Sequence, residues 1–144
     1  MNNQKIMRYR RAIGEIEALY HEVATKHGLS NSAYSILYAI CSQGDRCSLK
    51  DIVLYSCISK QTVNSALRKL EEEGILYLQM VNGKNKEAVL TEKGKELADK
   101  TAKKLLLLEE KLLNEIWSED EFNKYTELSE KFGKDLKGLI EREL

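Results

Sequence analysis

The sequence predicts a mainly α-helical chain with one small β-hairpin. Three observations predict it. Apolar residues recur every three or four positions over most of the 144 residues. Proline is absent, so long helices meet no obligate break. One run near the middle, Ile75-Leu76-Tyr77-Leu78-Gln79-Met80, reads instead as strand, and it leads into Asn82-Gly83, a strong hairpin-turn pair.

Hydrophobic residues make up 42% of the chain, enough for the core of one domain. The charged fraction of 32% exceeds the usual quarter and suits long exposed helices. No apolar run approaches the 18 or so residues of a membrane helix. The opening MNNQKIMRYRR lacks the apolar core of a signal peptide. Three cysteines, Cys41, Cys47 and Cys57, form no C-x-x-C pair. Together these features place the expected protein in a reducing cytoplasm, away from membranes.

Net charge is zero, but its distribution is uneven. Lys and Arg outnumber Asp and Glu five to three over residues 1–30 and seven to six over 31–91. Acids lead fourteen to eleven over 92–144. A polyanion could therefore be held by a local patch, with weak long-range attraction.

The first helix is expected from Gln4 to Lys26, with a near-heptad stripe of Ile6, Tyr9, Ile13, Ile16, Tyr20 and Val23. Arg8, Arg10 and Arg11 form either a solvated face or a phosphate contact. Gly28 can end this helix. A second runs from Ser30 to Ser42, capped by Ser30 or Asn31 and closed by Gly44. It is apolar nearly all round, as helices buried between others are.

A short third helix spans Ser48 to about Tyr55, and Ser48 with Asp51 makes an N-terminal capping signal. Ser56, Cys57 and Ile58 connect it to the next helix, Ser59 to Gly74. There Val63, Ala66, Leu67 and Leu70 form an inward stripe. Gln61, Asn64, Ser65 and Arg68 fall on the other face. Their flat hydrogen-bonding groups suit base edges in a major groove, although an ordinary surface helix would carry them too. Ser59 can cap the helix and Gly74 can stop it. Two short helices joined this tightly outline a helix-turn-helix.

The hairpin returns through Glu87-Ala88-Val89-Leu90, with Lys84, Asn85 and Lys86 on or near its tip. Those lysines suit a DNA backbone or a minor groove, or simply a solvated turn. A long helix is then expected from Glu92 to Trp117. Ser118 and Glu121 form a capping box that opens the last helix. Phe122, Tyr125, Leu128, Phe132, Leu136 and Leu139 line one of its faces. Gly133 and Gly138 either admit a close helix or let the end fray. The stripes of the first and last helices have little chain left to cover them. At roughly 25 cal/mol per Å² exposure is costly, so a two-fold dimer of interlocked terminal helices is the economical solution.

Helix, helix, helix-turn-helix, lysine-tipped hairpin, long helix and final helix occur in an order that resembles the MarR family of winged-helix transcription regulators. The most specific residues are SKQTVNSALRKLEEEGIL (Ser59–Leu76) and VLTEKG (Val89–Gly94). The resemblance spans nearly the whole chain. It implies one domain, 1–144, with a winged helix-turn-helix lobe at 31–91 and helical dimerisation regions at 1–29 and 92–144. It further implies a homodimer bound to double-stranded DNA at a pseudo-palindromic operator, with recognition helices about 34 Å apart.

By position, Ser59, Gln61, Thr62, Asn64, Ser65 and Arg68 would read and dock. Lys60, Lys69, Asn82, Lys84 and Lys86 complete the implied DNA-binding set. Gln61 and Asn64 could pair with adenine, and Arg68 with guanine or phosphate. Members usually carry Asp-x-Arg at the wing, where this chain has Asn82 and Lys84. Lysine keeps the charge but lacks the planar fork, so the wing should add phosphate affinity more than groove-shape specificity.

The family also implies a repressor released when a small aromatic or phenolic effector enters a cleft. Tyr9, Tyr20, Tyr34 and Tyr38 would border it, unless they are ordinary core residues. Peroxide-sensing relatives carry their reactive cysteine in the first helix, and none lies there here. A cysteine elsewhere could still make the regulator redox-responsive. His21 and His27, six apart, share no helical face well, so no metal is expected. No cofactor is expected, and no Ser/His/Asp pattern or phosphate loop suggests an enzyme. The remaining alternative is a winged-helix protein-interaction module without DNA binding.

Overall fold

The computed structural model of the chain describes residues 3–144. In order these form α1 (Asn3–Lys26), α2 (Asn31–Ser42), β1 (Arg46–Ser48), α3 (Leu49–Ser56), α4 (Lys60–Glu72), β2 (Leu76–Asn82), β3 (Asn85–Leu90), α5 (Glu92–Lys100), α6 (Ala102–Lys111), a π-helical turn (Leu112–Ile116) and α7 (Glu119–Glu143). The mainly helical class with a small sheet is as expected. Two compact units emerge, one through Leu106 and one over Leu107–Leu144.

The first unit is built around α2. Ser30 caps it, accepting from the Ala33 amide at 3.1 Å, and Gly44 with φ 83° turns the chain away at its end. Ile36, Leu37 and Ile40 are fully buried. They meet Ile52 of α3, Val63, Leu67 and Leu70 of α4, Leu76, Ala88 and Leu90 of the sheet, and Ala98 and Ala102 beyond it. A largely apolar helix is thus covered by the elements that follow it and, through Ala24 and Val23, by α1.

The sheet holds three antiparallel strands in the order β1-β3-β2. The third strand, β1, escapes a sequence reading because it is only Arg46–Ser48, pairing with Glu87–Val89. The hairpin turn also departs from expectation. Val81 is an extra residue between the pairs Met80↔Lys86 and Asn82↔Asn85. This bulge moves the two-residue loop one place along, to Gly83-Lys84. Neither Asn82 nor Gly83 takes a positive φ.

The expected single helix from Glu92 to Trp117 is broken. Thr101 leaves the helical region at φ −124°, ψ −95°. It is buried, and its hydroxyl donates to the Leu97 carbonyl at 2.7 Å. That bond offers the backbone an alternative to the regular ladder, which is how a mid-helix threonine bends a helix. In the second unit, the π-helical turn ends with the Trp117 amide donating to Leu112. Ser118 and Glu121 then form the full capping box that starts α7. Trp117 packs edge-on to Tyr125, with ring centroids 5.6 Å apart.

Both terminal helices keep exposed apolar stripes. In α1 only Ala24 is buried, and Ile6, Tyr9, Ile16 and Tyr20 stay open. In α7 no residue is buried, and Phe122, Tyr125, Leu128, Phe132, Leu136 and Leu139 are all exposed.

Candidate nucleic-acid interface

Local chemistry sets each end of the helix-turn-helix. Ser48 caps α3 by accepting from the Asp51 amide at 3.0 Å. Cys57, in the left-handed conformation at φ 55°, reverses the chain between α3 and α4. Ser59 accepts from the Thr62 amide at 3.2 Å and donates to the Thr62 hydroxyl at 2.8 Å.

The two faces of α4 separate cleanly. Val63, Leu67 and Leu70 are buried, while Lys60, Gln61, Thr62, Asn64, Ser65, Arg68 and Lys69 are exposed. Their roles differ, however. Ser59 and Thr62 satisfy each other, and Ser65 donates back to the Gln61 carbonyl at 3.1 Å. Lys60, Gln61, Asn64, Arg68 and Lys69 remain exposed, and of these Gln61, Asn64 and Arg68 carry planar amide or guanidinium groups, one to two turns apart. Within the outward face, these three have the planar hydrogen-bonding groups to address a ligand directly, beside the ammonium donors of Lys60 and Lys69.

The C-terminal end of α4 is held as firmly as its start. Gly74 takes φ 72°, and the Ile75 amide returns to the Leu70 carbonyl at 2.9 Å. Glu71 accepts from the Leu78 amide of β2 at 3.3 Å. The carbonyls of Glu73, Gly74 and Ile75 all accept from the start of α5. Glu73 O receives Lys93 Nζ at 2.8 Å. Gly74 O receives Thr91 Oγ1 at 2.6 Å. Ile75 O receives Thr91 N at 3.1 Å. The Thr91 hydroxyl meanwhile caps α5 by accepting from the Gly94 amide at 3.0 Å. The motif VLTEKG is visible in the sequence, but these contacts bridge some twenty residues and carry no periodic signal.

At the wing, Lys84 lies in the loop, Asn82 and Lys86 flank it, and all three are exposed. Deeper in the sheet, Glu87 accepts from Gln79 and pairs with Arg46 at 3.5 Å. Glu87 therefore absorbs part of the positive charge of Arg46, leaving the tip lysines as the basic end.

The four tyrosines do not share one environment. Tyr9 and Tyr20 are exposed on α1. Tyr34 is buried and Tyr38 half-buried on α2, their rings 6.3 Å apart. An open depression of about 520 Å³ on α1 is lined by Ala18, His21, Glu22, Thr25 and Lys26, not by tyrosine. There His21 Nδ1 meets Asn31 Oδ1 at 2.6 Å. Burial pushes the Cys41 thiol up to about 12 and the Cys47 thiol up to about 11. Both stay protonated and poorly nucleophilic near neutrality. Cys57 is exposed.

Residues 27–83, from the turn before α2 to the wing loop, match the model of the MarR family. That segment, 57 of the 144 residues, is similar to the MarR family. The fold agrees along the length of the chain. The MarR family regulator NMB1585 of Neisseria meningitidis is 19% identical, with 99% of this chain and 100% of that one covered at a TM-score of 0.76. Bordetella bronchiseptica BpsR, whose DNA binding is regulated by 6-hydroxynicotinic acid, is 21% identical over 90% of this chain and 98% of its own, with a TM-score of 0.62. Streptomyces coelicolor Sco3205, a MarR family transcriptional regulator solved in complex with DNA, is 16% identical over 94% and 89%, at 0.65. At these identities the likeness is one of fold. No protein of curated function matches the sequence. α3 and α4 form the helix-turn-helix of a winged-helix fold and β2–β3 its wing. No helix among the described residues is long and apolar enough to cross a membrane.

Proposed function

We propose that the protein is a homodimeric, sequence-specific double-stranded DNA-binding transcriptional repressor. The outward face of α4 carries this reading. Gln61, Asn64 and Arg68 are exposed together, while Val63, Leu67 and Leu70 anchor the helix from behind. Amide and guanidinium groups on a rigid helix match the donor and acceptor pattern of base edges in the major groove. Lys60, Thr62 and Lys69 dock the same helix on phosphates, Ser59 and Ser65 joining them where their hydroxyls turn from Thr62 and the Gln61 carbonyl, and Asn82, Lys84 and Lys86 of the wing add backbone contacts.

The open stripes of α1 and α7 favour a second copy as the partner. Covering them removes apolar surface that one chain leaves in water. Two recognition helices then meet two half-sites about one duplex turn apart, near 34 Å. Release by a small aromatic or phenolic effector is part of the proposal. It draws on BpsR, whose DNA binding responds to such a ligand, and on the tyrosines of α1 and α2. The raised thiols of Cys41 and Cys47 speak against redox control through either.

Selection of bound duplexes from a random pool tests the proposal. The expected result is a pseudo-palindrome whose binding weakens steeply with salt. An intact dimer that enriches no sequence at low salt would instead favour a protein-interaction module. Adding phenolic compounds or peroxide to the selected complex then tests the mode of release.

A further inference from the structure

The start of α5 and the end of α4 form one bolted joint, and its parts have different accessibility. Three consecutive carbonyls, Glu73, Gly74 and Ile75, accept from Thr91 and Lys93. Gly94 is buried against the Ile75 carbonyl. Lys93 is exposed, and its ammonium reaches back 20 residues to Glu73.

The last carbonyls of a helix lack partners within it and carry the negative end of its dipole. A cation placed there both satisfies and orients that end. Glu71, Glu72 and Glu73 make the last turn of the helix acidic, which disfavours a DNA phosphate at that end. Of the reading residues, Gln61 and Asn64 lie in the N-terminal half of the same helix, and Arg68 lies between them and the pinned end. A groove-reading side chain must be held within about 0.5 Å of its productive place. A pivot at the pinned end displaces Gln61 and Asn64 more than Arg68.

We propose that Lys93 is a positioning residue for the recognition helix, setting sequence discrimination by clamping the α4 C-terminus to α5 without touching DNA. The inference rests on the DNA-binding reading above. It also names the route by which movement of α5 would reach the reading face.

Wild type, Lys93→Met and Lys93→Arg are compared on the duplex that wild type enriches from a random pool and on a scrambled duplex of equal length, across a salt series. Amide hydrogen exchange is recorded on each protein without DNA. Lys93→Met should lose roughly fivefold of its preference for the enriched duplex, as expected for a cation at a helix C-terminus. Its salt slope should not change. Exchange at residues 73–76 should quicken while that of α2 stays the same. Lys93→Arg, which keeps a donor and the charge, should restore both.

A salt slope lower by about 0.9 in Lys93→Met would instead make Lys93 a phosphate contact and overturn the proposal. So would unchanged preference with unchanged exchange. If wild type enriches no duplex, the DNA-binding reading fails on its own. Exchange then still tests the clamp: unchanged protection at residues 73–76 in Lys93→Met overturns it.

Discussion

Gly94 lies directly against the Ile75 carbonyl: a Cβ built on Gly94 would sit 1.9 Å from that oxygen. The neighbour is backbone, already fixed by the Thr91 amide at 3.1 Å, so it cannot swing aside. Gly94→Ala should therefore destabilise the first unit by about 1–3 kcal/mol, the usual cost of overpacking. Thermal or urea denaturation measures it. A variant as stable as wild type would mean that α5 and α4 do not approach this closely.

Ser59 separates stability from binding. Ser59→Ala removes the cap of α4 and should cost about 1 kcal/mol. Ser59→Asp keeps a capping oxygen, so stability should return. It also places a negative charge on the face proposed to meet DNA, so affinity for duplex should stay low. Denaturation and duplex titration on the same two variants check both halves.

Lys103 ties α6 to the α2–β1 connection. Its ammonium lies 3.0 Å from Asp45 Oδ1 and 3.3 Å from Asp99. The hydrogen bond to Asp45 holds the Lys103 pKa above its ordinary 10.5, against the pull of burial. Folding thus favours the protonated form. The contribution is fully present below the ordinary value and is lost as pH rises through the raised one. Both partners are about a third exposed, so solvent screening limits it to about 1 kcal/mol or less. Wild type should exceed Lys103→Met in stability at neutral pH, and the gap should close above about 10.5. Chemical denaturation across that range shows whether it does.

Thiol reactivity should rank by burial. Cys41 and Cys47, raised to about 12 and about 11, expose almost no thiolate at mildly alkaline pH. Cys57 is exposed and should alkylate first. Mass spectrometry of the folded protein after brief alkylation gives the order. Modification of Cys47 ahead of Cys57 would contradict this picture.

How much of the molecule could be read from its sequence follows from the range of each interaction. Ser48, Ser59 and Ser118 cap helices three residues away, and their spacing is visible in the chain. The two faces of α4 follow from a 3.6-residue period. Gly74 stops α4 because the left-handed turn is a local demand. The break at Thr101 is different: it depends on a buried hydroxyl bonding Leu97, and a run of helix-forming residues hides it. The hairpin loop slips to Gly83-Lys84 because Val81 bulges, and the turn pair Asn82-Gly83 cannot reveal that. At the candidate interface, the exposed set was legible but the division of labour within it was not. Ser65 looks like a reader until its hydroxyl is found on the Gln61 carbonyl. Lys93 reads as one more surface lysine until Glu73 is placed beside it.

The central claim is that Gln61, Asn64 and Arg68 of α4 read base edges. The most direct measurement is the affinity of single alanine variants for the duplex selected by wild type, alongside a scrambled duplex, with dimerisation monitored in parallel. At least Arg68→Ala should lose roughly 1–3 kcal/mol on the selected duplex and relax its preference at one position of each half-site. Lys84→Ala should weaken both duplexes alike and lower the salt slope by about 0.9. If all four variants bind the selected duplex as wild type does, the α4 face and the wing are not the surface that meets DNA.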